Sequence, residues 1–313
     1  MIRDPQTLTV FEGILALLAI GTVVGLVLKA VVTSPKAVEV VQNLNARIRA
    51  WWVMCAVFAL ALATGGLGSV LLFALTSFLA LREFLTLTAT RAADHRTLFW
   101  VFFVITPLQY VLVAVKWYGL FTVLIPVYSF LFIPTRIVLA GDTTEFLGRT
   151  ARIQWALLVC VYCVSHAPAL LMLEIARYGG QDAKLLLFLV VVVQASDVLQ
   201  YVFGKTLGRT PIAPSVSPNK TVEGFVGGLA SATLLGALLG PVTPFGYLGA
   251  AAMALVVTLM GFAGGLTMSA IKRDRGVKDY GAMIQGHGGI MDRIDSICFA
   301  APVFFHVTRY FFT

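Results

Sequence analysis

The sequence is short of charge. Only 12% of its 313 residues are Asp, Glu, Lys or Arg, against 59% hydrophobic residues; a soluble domain carries about 25% charged residues. That little polarity cannot cover a water-facing surface, so a soluble globular chain is excluded. Residues 51–81 contain no charged side chain at all. The apolar residues come in long blocks instead of one stripe per helix, the pattern of helices surrounded by lipid. Cysteine and histidine are scarce too, at four each. Cys55, Cys160, Cys163 and Cys298 all fall inside or beside apolar runs. Cys160-x-x-Cys163 has redox-motif spacing but no basic neighbour to lower a thiol pKa, so the four are read as packing residues. There is no internal repeat, low-complexity tract or soluble domain. The first apolar run, preceded by Arg3 as its sole positive charge, is long enough to stay as an anchor instead of a cleaved leader.

What is present is a series of membrane-length segments. About 20 apolar residues make one pass, and residues 9–28, 153–174, 183–203, 223–240, 245–266 and 297–312 qualify. Residues 51–81 and 97–134 are each too long for one helix. The run Gly65-Gly66-Leu67-Gly68 offers a turn within the first, and splitting both yields an all-α polytopic membrane bundle of nine to ten transmembrane helices. With ten passes, alternate loops gather the basic residues on one side, leaving Arg3, Lys116, Arg177, Lys184 and Arg309 of the 23 on the other. By the positive-inside rule the crowded side is cytoplasmic and both termini are outside. The net charge of +8 then belongs to orientation and to anionic headgroups or phosphates, not to nucleic acid. Residues 34–49 mix Val and Leu with charges and are expected to lie on the membrane surface as an amphipathic helix. The chain divides into N-terminal helices, 1–180, and a C-terminal region, 181–313, that carries the chemistry within one membrane domain.

Two loop segments differ from solvating connectors. The first holds Asp197, Gly204-Lys205 and Ser217-Pro218-Asn219-Lys220-Thr221. The second holds Ser269, Lys272-Arg273, Lys278-Asp279, Gly286-His287-Gly288-Gly289 and Asp292-Arg293-Ile294-Asp295. Lys272, Arg273, Lys278 and Arg293 can hold several phosphates. Asp279, Asp292 and Asp295 are hard oxygen ligands suited to Mg²⁺ bridging nucleotide phosphates. Gly286, Gly288 and Gly289 would let backbone N–H groups approach a phosphate. Asp197, inside an apolar block, costs on the order of 2.5–3.5 kcal/mol at mid-depth and is a functional candidate for that reason. The residues 217–221 read equally as a phosphate-contacting turn or as a cap on the next helix. Acids and bases together at a membrane interface suit metal-assisted phosphoryl or nucleotidyl transfer.

The order serine, Lys-Arg, Lys-Asp, His-Gly-Gly and Asp-Arg-x-Asp from Ser269 to Asp295 resembles the signature of the phosphatidate cytidylyltransferase (CDP-diglyceride synthetase) family. Asp197, Gly204-Lys205 and Ser217-Pro218-x-Lys220-Thr221-x-x-Gly224 resemble that family's second block. The resemblance covers about residues 190–313, with a similar multi-pass pattern before it. It implies transfer of the cytidylyl group of CTP to phosphatidic acid, making CDP-diacylglycerol and pyrophosphate for phospholipid synthesis at the cytoplasmic face of a bacterial inner membrane. The implied metal ligands are Asp292, Asp197 and Asp279, with Mg²⁺ as cofactor and Lys272 and Arg273 beside them. Ser269, Lys278, His287, Gly288, Gly289, Arg293, Asp295, Ser217, Lys220 and Thr221 are the implied substrate contacts. Membrane lipids are partners, and a homodimer is one assembly open to such a chain. The chain departs from the pattern at Gly265, where an acid is expected, at Gln285, where proline is usual, and at Asp197-Val-Leu-Gln-Tyr201. These departures point to a divergent paralogue, with three rivals: a transferase for another lipid phosphate, a silent binder of CTP or anionic lipid, and a transporter. The last is disfavoured because the acids and bases crowd the loops and not the midplane.

Overall fold

The structure, a computed structural model, describes residues 4–88, 90–176, 178–179, 181–284 and 288–313. Among these the chain forms ten helical rods, joined mostly by short connections. They are α1 (Pro5–Val31), α2 (Pro35–Ala63), α3 (Gly66–Thr86), α4 (Ala92–Ala114), α5 (Tyr118–Val138), α6 (Phe146–Met172), α7 (Asp182–Thr206), α8 (Val222–Leu238), α9 (Gly246–Asp274) and α10 (Met291–Phe312). Eight are long and apolar enough to cross a membrane. The other two are α8, with 17 residues, and α10, whose first turns carry Asp292, Arg293 and Asp295. The chain is thus an all-α, polytopic integral membrane bundle.

Both long uncharged stretches divide as their length requires. The turn between α2 and α3 falls at Gly65, whose φ of 88° is open to glycine and strained for a residue with a Cβ. The segment 34–49 is not a separate surface helix. Pro35 starts a single 29-residue α2 that runs without a break into the second pass, because nothing between Ala37 and Ala63 breaks a helix. A small element is added to the all-helical expectation. Strand β1 (Pro211–Ala213) pairs antiparallel with β2 (Ser217–Thr221), Pro211 opposite Thr221 and Ala213 opposite Ser217.

Contacts at the two ends of the bundle alternate as ten passes demand. At one end Lys184 of α7 reaches Asp4 before α1 (2.9 Å), and Arg309 of α10 lies over the Tyr118 ring of α5, 3.7 Å from its centroid. At the other end the fully buried Arg149 of α6 pairs with Asp94 at the start of α4 and with Asp142 (each 3.0 Å), and donates to the Thr144 carbonyl (2.7 Å). That knot ties the connections α3–α4 and α5–α6. Removing one partner strands a buried charge, which costs about 3–5 kcal/mol, whereas replacing both by apolar groups is often near neutral. Arg149→Met is therefore expected to lower the unfolding midpoint in detergent markedly, and Arg149→Met with Asp94→Leu to recover most of the loss. Equal midpoints for wild type and the single variant would remove the knot from the account.

α1 and α2 leave most of their apolar surface exposed, as helices facing lipid do, while α6 is largely buried at the centre. Helices α7, α8, α9 and α10 pack closely. Gly224 and Gly228 of α8 have no room for a Cβ against Gln200 and Gly204 of α7. Gly264 of α9 likewise abuts the Asp295 carbonyl of α10. Small residues permit this approach between backbones in membrane bundles. It brings Asp197, Lys220, Gly265 and Asp295 into one neighbourhood.

Candidate active site

The site is built around the start of α10. The first amides of a helix have no partner within it and carry partial positive charge; here Glu83 answers that of Met291 and of the capping Ile290, while Asp292 gathers two amides of the loop ahead of the helix. Asp292, 6% exposed, accepts from the Tyr280 amide (2.8 Å) and the Gly289 amide (2.9 Å) on Oδ2. Its Oδ1 accepts from Lys272 Nζ at 2.7 Å. Glu83, 8% exposed near the end of α3, accepts from the amides of Ile290 (3.0 Å) and Met291 (2.9 Å). Tyr280 closes the cluster: its ring stacks on Phe84, its hydroxyl donates to the Met268 carbonyl (3.0 Å), and Lys272 Nζ lies 5.5 Å from its ring centroid.

This geometry revises the reading of the glycine-rich run. The Gly289 amide is spent on Asp292, so it does not offer itself to a phosphate. Gly288 has φ 80°, and a Cβ there would stand 2.7 Å from Asp292 Oδ2 and 3.2 Å from the Asp279 Cβ. The glycines make room for carboxylates. Gly286 and His287, the remaining residues of that run, lie outside the described residues.

A second cluster lies where α7, α9 and α10 meet. Asp197 has Ser296 as a side-chain hydrogen-bond partner and interacts electrostatically with Asp295, Lys220 and Arg293. Asp295 Oδ1 accepts from the Ser296 amide at 2.8 Å. Lys220 enters from β2 with its Nζ 4.8 Å from the Phe262 ring centroid. Burial pulls its ammonium below the usual lysine range, while Asp197 and Asp295 pull the other way. Gly265 faces this cluster: a Cβ there would be 3.0 Å from Lys220 Nζ, 3.5 Å from Ser296 Oγ and 3.9 Å from Asp295 Oδ2.

The other predicted residues fall into two groups. Lys278 and Asp279 are exposed on the loop after α9. Arg273, also exposed, donates to the carbonyls of Val216 (3.2 Å) and Val277 (2.9 Å), tying the hairpin to that loop. Arg293 keeps a buried Nε without a hydrogen-bond partner among the described residues. Ser269 returns its hydroxyl to the Gly265 carbonyl of its own helix (2.7 Å). Thr221 caps α8 by accepting from the Gly224 amide (3.1 Å), so of the two readings of residues 217–221 the cap is realised at Thr221. Ser217 opens β2.

The acids Asp292, Asp197 and Asp279 are not brought together as a metal-ligand set. No three Asp, Glu, His or Cys side chains converge on one point among the described residues. Asp292 already accepts from an ammonium and two amides, and Asp279 is exposed on its loop. Asp197 and Asp295 instead interact electrostatically with one another and with Lys220. Sequence reasoning missed Glu83, Tyr280 and Ser296. Glu83 carried a signal, an acid embedded in the apolar run of α3. A cavity of about 680 Å³ at the far end of the bundle is no rival, because its Lys184 ammonium is engaged by Asp4, Gln6 and Gln181.

Ten rods among the described residues, with acids and bases gathered where α7, α9 and α10 meet, define an integral membrane protein with a charged site built between its helices. Residues 45–311 match the cytidylyltransferase family model, and the chain belongs to that family. It is 41% identical over 265 residues to the protein YnbB of Escherichia coli (strain K12), covering 84% of this chain and 87% of that one. It is 38% identical to the phosphatidate cytidylyltransferase of Aquifex aeolicus over 44% of this chain and 52% of the relative. To that of Bacillus subtilis it is 36% identical, over 44% and 52%. The match thus spans about half the length of these two enzymes. Membership of a nucleotidyltransferase family agrees with the resemblance read from Ser269 to Asp295.

Proposed function

We propose that the chain transfers the cytidylyl group of CTP to a lipid phosphomonoester, with phosphatidic acid as the acceptor, at the cytoplasmic face of a bacterial inner membrane. The observation that carries this reading is the convergence of the α9 end, the α10 start and the 211–221 hairpin on one polar site at the end of a lipid-embedded bundle. In the reaction a phosphate oxygen of the lipid attacks the α-phosphorus of CTP. The new P–O bond forms as the bond to the β-phosphate oxygen breaks, and pyrophosphate leaves with its electron pair. No covalent enzyme intermediate is needed. Arg273 and Lys278, exposed at the loop, are placed to meet the triphosphate as it arrives from water. Lys220 and Arg293, partly buried near Asp197, would meet the lipid phosphate. Lys272, locked by Asp292, contributes a fixed positive charge that need not reorganise as charge develops. A Mg²⁺ ion carried in with CTP would be held by the nucleotide's phosphates together with one or two carboxylates of the site, and would supply neutralisation of the charge on the departing pyrophosphate.

Purified protein given labelled CTP and a panel of lipid phosphates tests the reading. Release of pyrophosphate with phosphatidic acid and not with a polyprenyl phosphate is expected; the reverse preference would reassign the acceptor. Binding of CTP without turnover on any lipid would make the chain a binder. The departure at Gly265 gives a sharper measurement. In Gly265→Asp the Cβ of the new side chain comes closest to the end of the Lys220 side chain (3.0 Å) and stands at ordinary contact distance from Ser296 Oγ and Asp295 Oδ2 (3.5 and 3.9 Å), so the unfolding midpoint should stay within a few degrees. Its added negative charge beside Asp295 opposes the incoming phosphates, and pyrophosphate release is expected to fall about tenfold. A rise in rate would show instead that the glycine impairs the native site.

A further inference from the structure

The hairpin that carries Lys220 is fastened firmly at its base. Glu223, in the first turn of α8, accepts from the amides of Arg209 (2.9 Å) and Thr210 (3.1 Å) and from the Thr210 hydroxyl (2.9 Å). Thr221 packs against Gly208, where a Cβ would stand 2.7 Å from the Thr221 Oγ1. The tip, residues 214–217, is held differently. It turns on the Val216 amide, which donates to the Ala213 carbonyl (3.1 Å). Among the described residues, the only hydrogen bond from this tip to another part of the bundle runs from Arg273 Nε to the Val216 carbonyl (3.2 Å). Arg273 Nη1 donates at the same time to the Val277 carbonyl (2.9 Å), in the loop that carries Lys278. One guanidinium therefore ties the hairpin tip to the loop after α9.

The tie is made with weak partners. Lys272, one residue earlier, is spent on the Asp292 carboxylate (2.7 Å). Arg273 is exposed, bonds only neutral carbonyls and forms no ion pair among the described residues. A guanidinium binds a phosphate about twice as strongly as a neutral acceptor and can do so through two donors at once. The partly exposed carbonyls it leaves can turn to water. A triphosphate reaching this loop thus competes with the hairpin for the same donors, and wins. We propose that Arg273 is a latch released by the nucleotide: CTP draws the guanidinium off Val216, the hairpin tip comes free, and Lys220, on the strand that follows the tip, can then meet the lipid phosphate. The nucleotide accordingly binds before the lipid. The inference rests on the transferase reading for its trigger, and its readout is the hairpin itself, so the two can fail separately.

The probe is the α,β-methylene analogue of CTP with Mg²⁺, which cannot release pyrophosphate, and the full chain is studied in detergent. In wild type the analogue is expected to speed hydrogen exchange at the amides of Ser215, Val216 and Ser217 by about three- to tenfold, the worth of one hydrogen bond to a neutral acceptor. Exchange at Arg209 and Thr210, held by Glu223, should not change. Arg273→Met should show the fast tip without nucleotide and no further change with it. A water-soluble short-chain phosphatidic acid, followed by calorimetry, should bind wild type measurably only when the analogue is present. Thermal unfolding of the variant checks that it is folded. The comparison of wild type with and without the analogue decides the matter even if Arg273→Met folds poorly. Binding of the analogue with tip exchange unchanged or slowed overturns the latch and leaves the transferase reading standing. So does a folded Arg273→Met whose tip exchanges as slowly as wild type, or equal lipid binding with and without nucleotide. Failure of the analogue to bind at all removes the transferase reading and the trigger together.

Discussion

Asp292→Ala is expected to abolish pyrophosphate release and to destabilise the protein by about 3–5 kcal/mol. The carboxylate is buried and makes three contacts at once, to Lys272 Nζ and to the amides of Tyr280 and Gly289. Its removal leaves an ammonium with no counter-charge in a low-dielectric place and two amides without acceptors. The two effects separate in a second variant. Asp292→Asn keeps the side-chain oxygen for one amide and much of the shape, so it should fold better than Asp292→Ala while still losing the fixed charge beside Lys272. If Asp292→Asn folds and turns over at the wild-type rate, the pair with Lys272 is a structural fastening and no part of the chemistry. Lys272→Met should mirror Asp292→Ala in stability, because each strands the other's charge.

Glu83→Ala is the second large effect. Glu83 belongs to none of the sequence motifs, yet it holds the first two described amides ahead of Asp292 from a helix more than 200 residues away in the chain. Hydrogen bonds to a charged acceptor contribute about 1.5–3 kcal/mol each, so the variant should lose about 3 kcal/mol or more. Glu83→Gln should recover part of this. Glu83 acts through Asp292 and is a positioning residue, so the decisive readout is local. Hydrogen exchange at the Ile290 and Met291 amides should speed up in Glu83→Gln while exchange at the far end of α10 is unchanged. The rate constant for turnover should fall with little change in the concentration of CTP giving half-maximal rate. Unchanged exchange at both amides would dissolve the link between α3 and the site.

Much of the architecture was legible before any coordinate. Ten passes followed from hydropathy and from the distribution of basic loops, and the turn at Gly65 followed from a run of glycines in a stretch too long for one helix. The separate surface helix at 34–49 was misread, because mixed polarity there describes the end of a pass as well as a helix lying flat. Ser269 to Asp295 was recognisable by spacing, and with it the family.

What each side chain does was not legible. An acid in a sequence motif looks the same whether it awaits a metal or already holds a lysine. Asp292 proved to be paired because α9 delivers Lys272 to it, and Glu83 proved to matter because α3 ends beside the start of α10. Periodicity and composition depend only on neighbours along the chain, so the sequence alone determined a lipid-embedded helical bundle with its charged chemistry at one end. Which carboxylate meets which ammonium depends on how helices distant in sequence abut, at glycines such as Gly228, Gly264 and Gly265 where no Cβ keeps the backbones apart. Tertiary structure alone decided that.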